Sequence, residues 1–200
     1  MMKRIFSTIL LFASALVLLT GYALTAEQRA LADKLVRLHV VANSDREDDQ
    51  AVKLRVRDAV LVETRRLLND TSDPVAALRT GLPSIEAAAN RTLTEAGKSE
   101  RASVSLGPEL FPTREYETFA LPAGRYTALR VTIGEGKGHN WWCVVYPALC
   151  MSASAGDLET AAQVAGLSEG EIALITGETE GYTLKFKALE WLEQIEDWFS

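Results

Sequence analysis

The sequence predicts an α+β fold: a single domain whose mostly antiparallel sheet packs against helices, preceded by a signal peptide or membrane anchor. Three observations carry the prediction. A basic start, Met1-Met2-Lys3-Arg4, leads into an apolar run from Ile5 to Leu19 broken only by Ser7, Thr8 and Ser14. One β-rich segment is then followed by long stretches with apolar residues at helical spacing. From Arg101 the apolar period falls from about 3.6 residues to about 2, as in half-buried strands.

The first segment reads as a secretory signal. Gly21-Tyr22-Ala23 supplies the small residues that a signal peptidase requires, with cleavage after Ala23. Extended to Leu24, the same stretch is about 20 residues, enough to cross ~30 Å of hydrocarbon as an uncleaved anchor with its basic end inside. Both readings assign residues 1–26 to a leader or anchor and residues 27–200 to an exported, extracytoplasmic domain. Removing residues 1–23 takes away Lys3 and Arg4 and no acid, so the formal charge moves from -6 to -8. An acidic domain lacks the clustered Lys and Arg that nucleic acid demands. The remaining length, about 175 residues, suits one domain with a sizeable core.

Leu35 to Ala42 (LVRLHVVA) reads as a strand buried on at least one face. Ser44 and Glu47 have capping-box spacing, and Glu47, Asp48 and Asp49 suit the positive end of a helix running to about Leu68. Asp49 and Lys53 stand four apart, and Leu54, Leu61 and Leu68 recur every seven residues beside Val52, Val56, Ala59, Val60 and Leu67. Ser72-Asp73-Pro74 starts another helix. Gly81-Leu82-Pro83 is expected to break it, and a further segment carries Ile85, Ala88, Ala89, Leu93 and Ala96 up to Gly97. Strands follow at Ala102 to Leu106, Glu115 to Leu121 and Arg125 to Ile133. Gly134 to Gly138 turns the chain into Trp141 to Tyr146, which is apolar on both faces and reads as a central strand. Short helices are expected within Ala161 to Ile175, a last strand at Tyr182 to Phe186 and an amphipathic helix over Ala188 to Phe199.

Asn140 to Cys150 (NWWCVVYPALC) holds two of the four tryptophans and both cysteines. With only His39 and His139 available and no C-x-x-C or H-x-x-x-H spacing, a metal centre has too few ligands. Cys143 and Cys150 leave three readings open: a disulfide, two buried thiols, or a nucleophile using Cys143 with His39 or His139. Seven residues of straight strand separate Cα atoms by ~23 Å, whereas a disulfide needs them within about 7 Å. A disulfide therefore requires reversal near Tyr146-Pro147. Trp141 and Trp142 must point to opposite faces of a strand, which allows one of them to serve as an exposed binding anchor. Gly134-Glu135-Gly136-Lys137-Gly138 lacks the spacing of a phosphate loop and reads as a hairpin. No cofactor is expected from these motifs.

HVVANSDREDDQAVKLRVRDAV (His39 to Val60) resembles the N-terminal motif of the stage II sporulation protein R family. FPTREYETFALPAGRYTALRVTIGEGKGHNWWCVVYPALC (Phe111 to Cys150) resembles its second block, with Ala148 where a second proline is expected. The likeness extends to a KFK-hydrophobic segment near Lys185 and covers most of residues 35–150. The resemblance implies a non-enzymatic signal made in the forespore and exported to the space between two membranes. There it would trigger a membrane-embedded aspartic protease of the mother cell, which processes a pro-sigma factor. The surface expected to meet that protease combines His39, Asn43, Asp45, Trp141 and Trp142. The alternative is an extracytoplasmic cysteine hydrolase built on Cys143.

Overall fold

The computed structural model describes residues 2–69, 71–149, 155–178 and 181–199. In chain order the elements are α1 (Met2–Ala32), β1 (Val36–Val41), α2 (Glu47–Leu68), α3 (Pro74–Glu95), β2 (Ala102–Phe111), β3 (Arg114–Glu115), β4 (Ala120–Leu121), β5 (Gly124–Ile133), β6 (Asn140–Tyr146), α4 (Ala155–Val164), α5 (Glu169–Ile175) and α6 (Tyr182–Phe199). The fold is α+β, as its periodicity indicates. Among the described residues no helix is long and apolar enough to cross a membrane.

The main sheet has the order β2-β5-β1-β6, and β3 pairs with β4 in a separate two-stranded ladder. β2 and β6 pair antiparallel to their neighbours, whereas β1 and β5 run parallel, from Val36 opposite Thr127 to Val41 opposite Thr132. A parallel pair needs a crossover, and α2, α3 and β2 supply it. β6 is an edge strand rather than the central one expected from its two apolar faces. The reason is that burial on both faces requires layers above and below, not hydrogen-bonded neighbours on both sides. Cys143 and Val145 face one core and Val144 faces the other.

The first core lies between the sheet and α2/α3. Val36, Leu38 and Val40 of β1 and Leu129, Val131 and Ile133 of β5 meet Val52, Val56, Val60, Leu78, Ile85, Ala89 and Leu93. The buried stripe of α2 follows Val52, Val56 and Val60, and Leu54 lies 37% exposed at its margin. The seven-residue leucine pattern therefore misplaces the centre of the face. Gly81-Leu82-Pro83 does not break α3, which runs through Pro83. A proline inside a helix costs ~3 kcal/mol, but the buried face of Leu78, Ile85, Ala88, Ala89 and Leu93 offsets it. Gly81 also lets α2 approach closely, since a Cβ there would stand 2.3 Å from Leu67 Cδ1. Gly97, at φ 71°, ends the helix region as anticipated.

The second core covers the opposite sheet face. Leu31 and Ala32 at the end of α1 join Leu35, Phe111, Phe119, Leu121, Tyr126, Ala128, Val144, Leu158, Ala162, Leu167, Ile172 and Ile175. The single strand expected near Glu115 to Leu121 is instead the β3–β4 hairpin, closed by Tyr116 N–H donating to the Phe119 carbonyl at 2.7 Å. Tyr182 to Phe186 is the start of α6, not a strand. Tyr182 and Phe186 lie four apart with ring centroids at 5.7 Å, a helical contact that a strand would not make. The short helices expected after Ala161 are present, and α4 begins earlier, at Ala155. A capping box of Ser168 and Glu171 starts α5.

Candidate partner-binding surface

Side-chain alternation divides the expected surface residues between the two sheet faces. On β1, Leu38 and Val40 enter the first core, so Arg37 and His39 point the other way. On β6, Trp142 lies opposite His39 in register, and the two rings stack with centroids 3.8 Å apart at 17°. Phe111 meets both rings edge-on, at 6.3 Å and 4.8 Å. His39 Nδ1 lies 2.7 Å from Glu109 Oε1, and the same oxygen accepts from Arg130 Nη1 at 2.7 Å. At 3% exposure, His39 belongs to the interior. Trp142 is half-buried, with the Arg114 guanidinium 5.6 Å from its ring.

Asn43 and Asp45 occupy the rim where β1 ends, against the glycine loop between β5 and β6. Asn43 Oδ1 accepts from Glu135 N–H at 3.0 Å and Asn43 Nδ2 donates to Asp49 Oδ2 at 2.9 Å. Asp45 Oδ1 accepts from His139 N–H at 2.7 Å and lies 2.5 Å from His139 Nδ1. Gly138 is required here, because a Cβ would stand 2.2 Å from the Ser44 carbonyl oxygen. Strand end, helix start and glycine loop thus converge at one edge.

The Ser44–Glu47 capping box does not form. The N-cap is Arg46, without a side-chain cap, and Ser44 Oγ donates instead to Asp49 Oδ2 at 2.7 Å. A buried carboxylate needs donors more than an exposed helix end does. Asp49 also pairs with Lys98 rather than with Lys53. Lys98, then Ser44 and Asn43, hold the Asp49 carboxyl far below the usual carboxylate range, against the effect of burial. Lys53 donates to Gln50 Oε1 at 2.6 Å and to the His139 carbonyl at 3.0 Å, and burial lowers its pKa.

One turn further along α2, the Arg57 guanidinium covers the Trp141 ring at 4.4 Å. Trp141 is 37% exposed. Asp45, His139, Lys53, Arg57 and Trp141 therefore follow one another along the β6 side of the molecule. His39 and Trp142 lie on the other face and do not join this line. Sequence reading missed Glu109, Arg130 and Lys98, whose partners are distant in the chain. Arg37 was within reach, since it shares His39's face by the two-residue period of a strand.

Cys143 is buried in the first core and is disulfide-bonded. Cys150 lies outside the described residues. His39 is on the opposite sheet face from Cys143, and His139 is exposed beside Asp45. The described residues thus do not assemble a Cys–His pair. Among them no group of three or more His, Cys, Asp or Glu is placed to hold a metal ion.

The stage II sporulation protein R family model matches residues 32–155, a stretch that contains the whole sheet and α2 and α3. Stage II sporulation protein R of Bacillus subtilis (strain 168) is 39% identical over 123 residues, covering 60% of this chain and 55% of that protein. The chain thus spans little more than half the length of that curated relative. No solved structure matches the chain. With the family pattern running from the end of α1 through every strand of the sheet, the chain belongs to the stage II sporulation protein R family.

Proposed function

We propose that this protein is an exported sporulation signal that activates a membrane-embedded aspartic protease by protein–protein recognition. The protease, in the mother cell, would then process its pro-sigma factor. The observation that carries this reading is the family match over residues 32–155. The basic and apolar N-terminus supports export, as a cleaved signal or as an anchor. Activation requires the protein to bind the active arrangement of the protease more tightly than the inactive one. The contact surface we assign is the rim of Asn43 and Asp45 together with Trp141. An aromatic ring at the edge of a rigid sheet, beside charged groups, has the character of an interface anchor.

The decisive experiment supplies purified residues 27–200 to a sporulating strain that lacks the signal and follows pro-sigma cleavage. This boundary keeps the buried residues Gln28, Leu31 and Ala32. Cleavage restored by the added domain supports the reading, and no cleavage by a folded domain refutes it. Asp45→Ala and Trp141→Ala should reduce processing by about tenfold or more with secretion and melting temperature little changed, because a hot-spot loss costs ~2 kcal/mol of binding or more. His39 and Trp142 are poorer probes, since their replacement disturbs the interior first.

A further inference from the structure

A sheet edge is a row of unpaired backbone donors and acceptors, which proteins ordinarily blunt. The main sheet has two edges, β2 and β6. The β2 edge is guarded. Asn90 donates to the Ala102 carbonyl and accepts from the Ala102 N–H, and the Glu86 carboxylate accepts from Val104 N–H. Pro108 stands in step with these two residues along the strand, so the same edge meets a position that has no N–H.

The start of β6 has no such guard. Gly138 N–H donates to the Ala42 carbonyl, which sets the direction of alternate backbone groups along β1. Those of Val40 and Leu38 therefore also turn toward β6, and their register partners Trp141 and Cys143 direct theirs back to β1. Asn140 and Trp142 then point their N–H and C=O groups away from the sheet, where no described residue pairs with them. Neither residue is proline or lysine, and the irregularity in this ladder lies at its far end, between Val36 and Arg37. The open stretch begins directly after His139, whose N–H is held by Asp45, so it continues the rim already described.

The flanking side chains define what fits this edge. A strand laid beside β6 alternates its side chains between the two sheet faces. On the α2 face they meet Trp141, whose ring Arg57 covers. On the other face they meet the half-buried Trp142 and the Arg114 guanidinium, 5.6 Å from its ring. Arg57 is already paired with Asp58. Arg114 is exposed and has no carboxylate partner among the described residues. The Trp141 side therefore favours apolar side chains and the Arg114 side favours acidic ones.

We propose that the β6 edge at Asn140–Trp142 docks an extended segment of the partner, which joins the sheet as a fifth strand and alternates apolar with acidic side chains. The inference rests on the protease-activating reading above and gives that surface a partner chemistry. Main-chain hydrogen bonds from Asn140 and Trp142 hold the segment, and Trp141 and Arg114 select its sequence.

The test follows pro-sigma cleavage in sporulating cells that carry full-length variants in place of the wild type. Asn140→Pro removes an outward N–H at the first residue of a strand, where proline is tolerated, whereas Asn140→Ala keeps it. Processing should fall about tenfold further with proline than with alanine. Arg114→Glu should lower processing by about tenfold, and Arg114→Lys should restore most of it. Melting of each full chain in detergent micelles reports folding, and should Asn140→Pro fail to fold, the Arg114 pair decides alone. Processing by Asn140→Pro equal to that by Asn140→Ala, or by Arg114→Glu equal to that by Arg114→Lys, overturns the proposal. If Trp141→Ala still impairs processing in that case, the signalling reading stands without strand addition. If the wild-type protein does not support processing, the signalling reading itself falls. A wild-type dimer in light scattering that Asn140→Pro separates would assign the edge to a second copy of the chain and also overturn the proposal.

Discussion

The two faces of the sheet are built from alternate residues of the same strands, yet they are chemically unlike. The face under α2 and α3 is aliphatic: Leu38, Val40, Leu129, Val131 and Ile133 meet Val52, Val56, Val60 and Ile85. Its polar groups are kept at the margin, where Asn90 donates to the Ala102 carbonyl and accepts from the Ala102 N–H, both at 2.9 Å. Glu86 likewise accepts from Val104 N–H at 3.1 Å, so part of the β2 edge is closed by side chains from α3. The opposite face is aromatic and carries Arg37, His39, Gln28 and Tyr126 in its interior. Close-packed aliphatics supply stability without demanding partners, whereas each buried polar group demands satisfaction. The first face holds the fold together through apolar packing, and the second buries polar groups that are tied to one another, as His39 is to Glu109 and Arg37 is to Tyr116.

The sharpest way to break this comparison is to cut the aliphatic face. Leu129→Ala, in a central strand and fully buried, should cost about 2–5 kcal/mol in a urea unfolding curve. A loss below ~1 kcal/mol would mean that the helix face is not the main source of stability.

The next largest effect is expected at the Asp49 cluster, where the helix layer meets the rim. Asp49→Asn should cost about 1–3 kcal/mol, because Lys98 loses its buried partner. The folded-state pKa of Asp49 is depressed, so its contribution is present above the unfolded value of about 3.9 and is lost as pH falls below it. Wild-type protein should therefore lose more stability between about pH 5 and pH 2 than Asp49→Asn does. Parallel pH profiles for the two would remove Asp49 from the account.

On the polar face, Glu109→Gln leaves shape intact but removes the charge shared by His39 and Arg130. A loss of about 1 kcal/mol is expected, with altered Trp142 fluorescence as the stacked imidazole shifts. An unchanged spectrum would argue that Glu109 does not position the ring. The smallest effect is expected for Trp141→Ala, at most about 1 kcal/mol from the lost contact with Arg57, and its consequence should appear in pro-sigma processing rather than in melting.

Much of the architecture was legible because it follows local periodicity. The β1 pattern, the Asp73-Pro74 helix start, the change of period near Arg101 and the alternation of Trp141 and Trp142 all survive in the structure. Features that depend on distant partners were not legible. Ser44 has capping spacing, but the buried Asp49 takes its hydroxyl. Gly81 and Pro83 read as a break, but packing against Leu67 and the first core carries the helix through. Tyr182 to Phe186 is compatible with either period over so few residues, and its position in α6 resolves the choice.

The sequence by itself determined the α+β class, the apolar N-terminus, the acidic charge and the family blocks at His39–Val60 and Phe111–Cys150, because these are properties of neighbouring residues. The tertiary structure decided that β1 lies between parallel β5 and antiparallel β6, and that a packed layer covers each face of the sheet there, so that β1 is buried throughout. That placement sends His39 and Arg37 into the interior and leaves Asp45 and Trp141 at the rim. Which side chains meet water depends on what the sheet stacks against, and strand alternation alone cannot supply that.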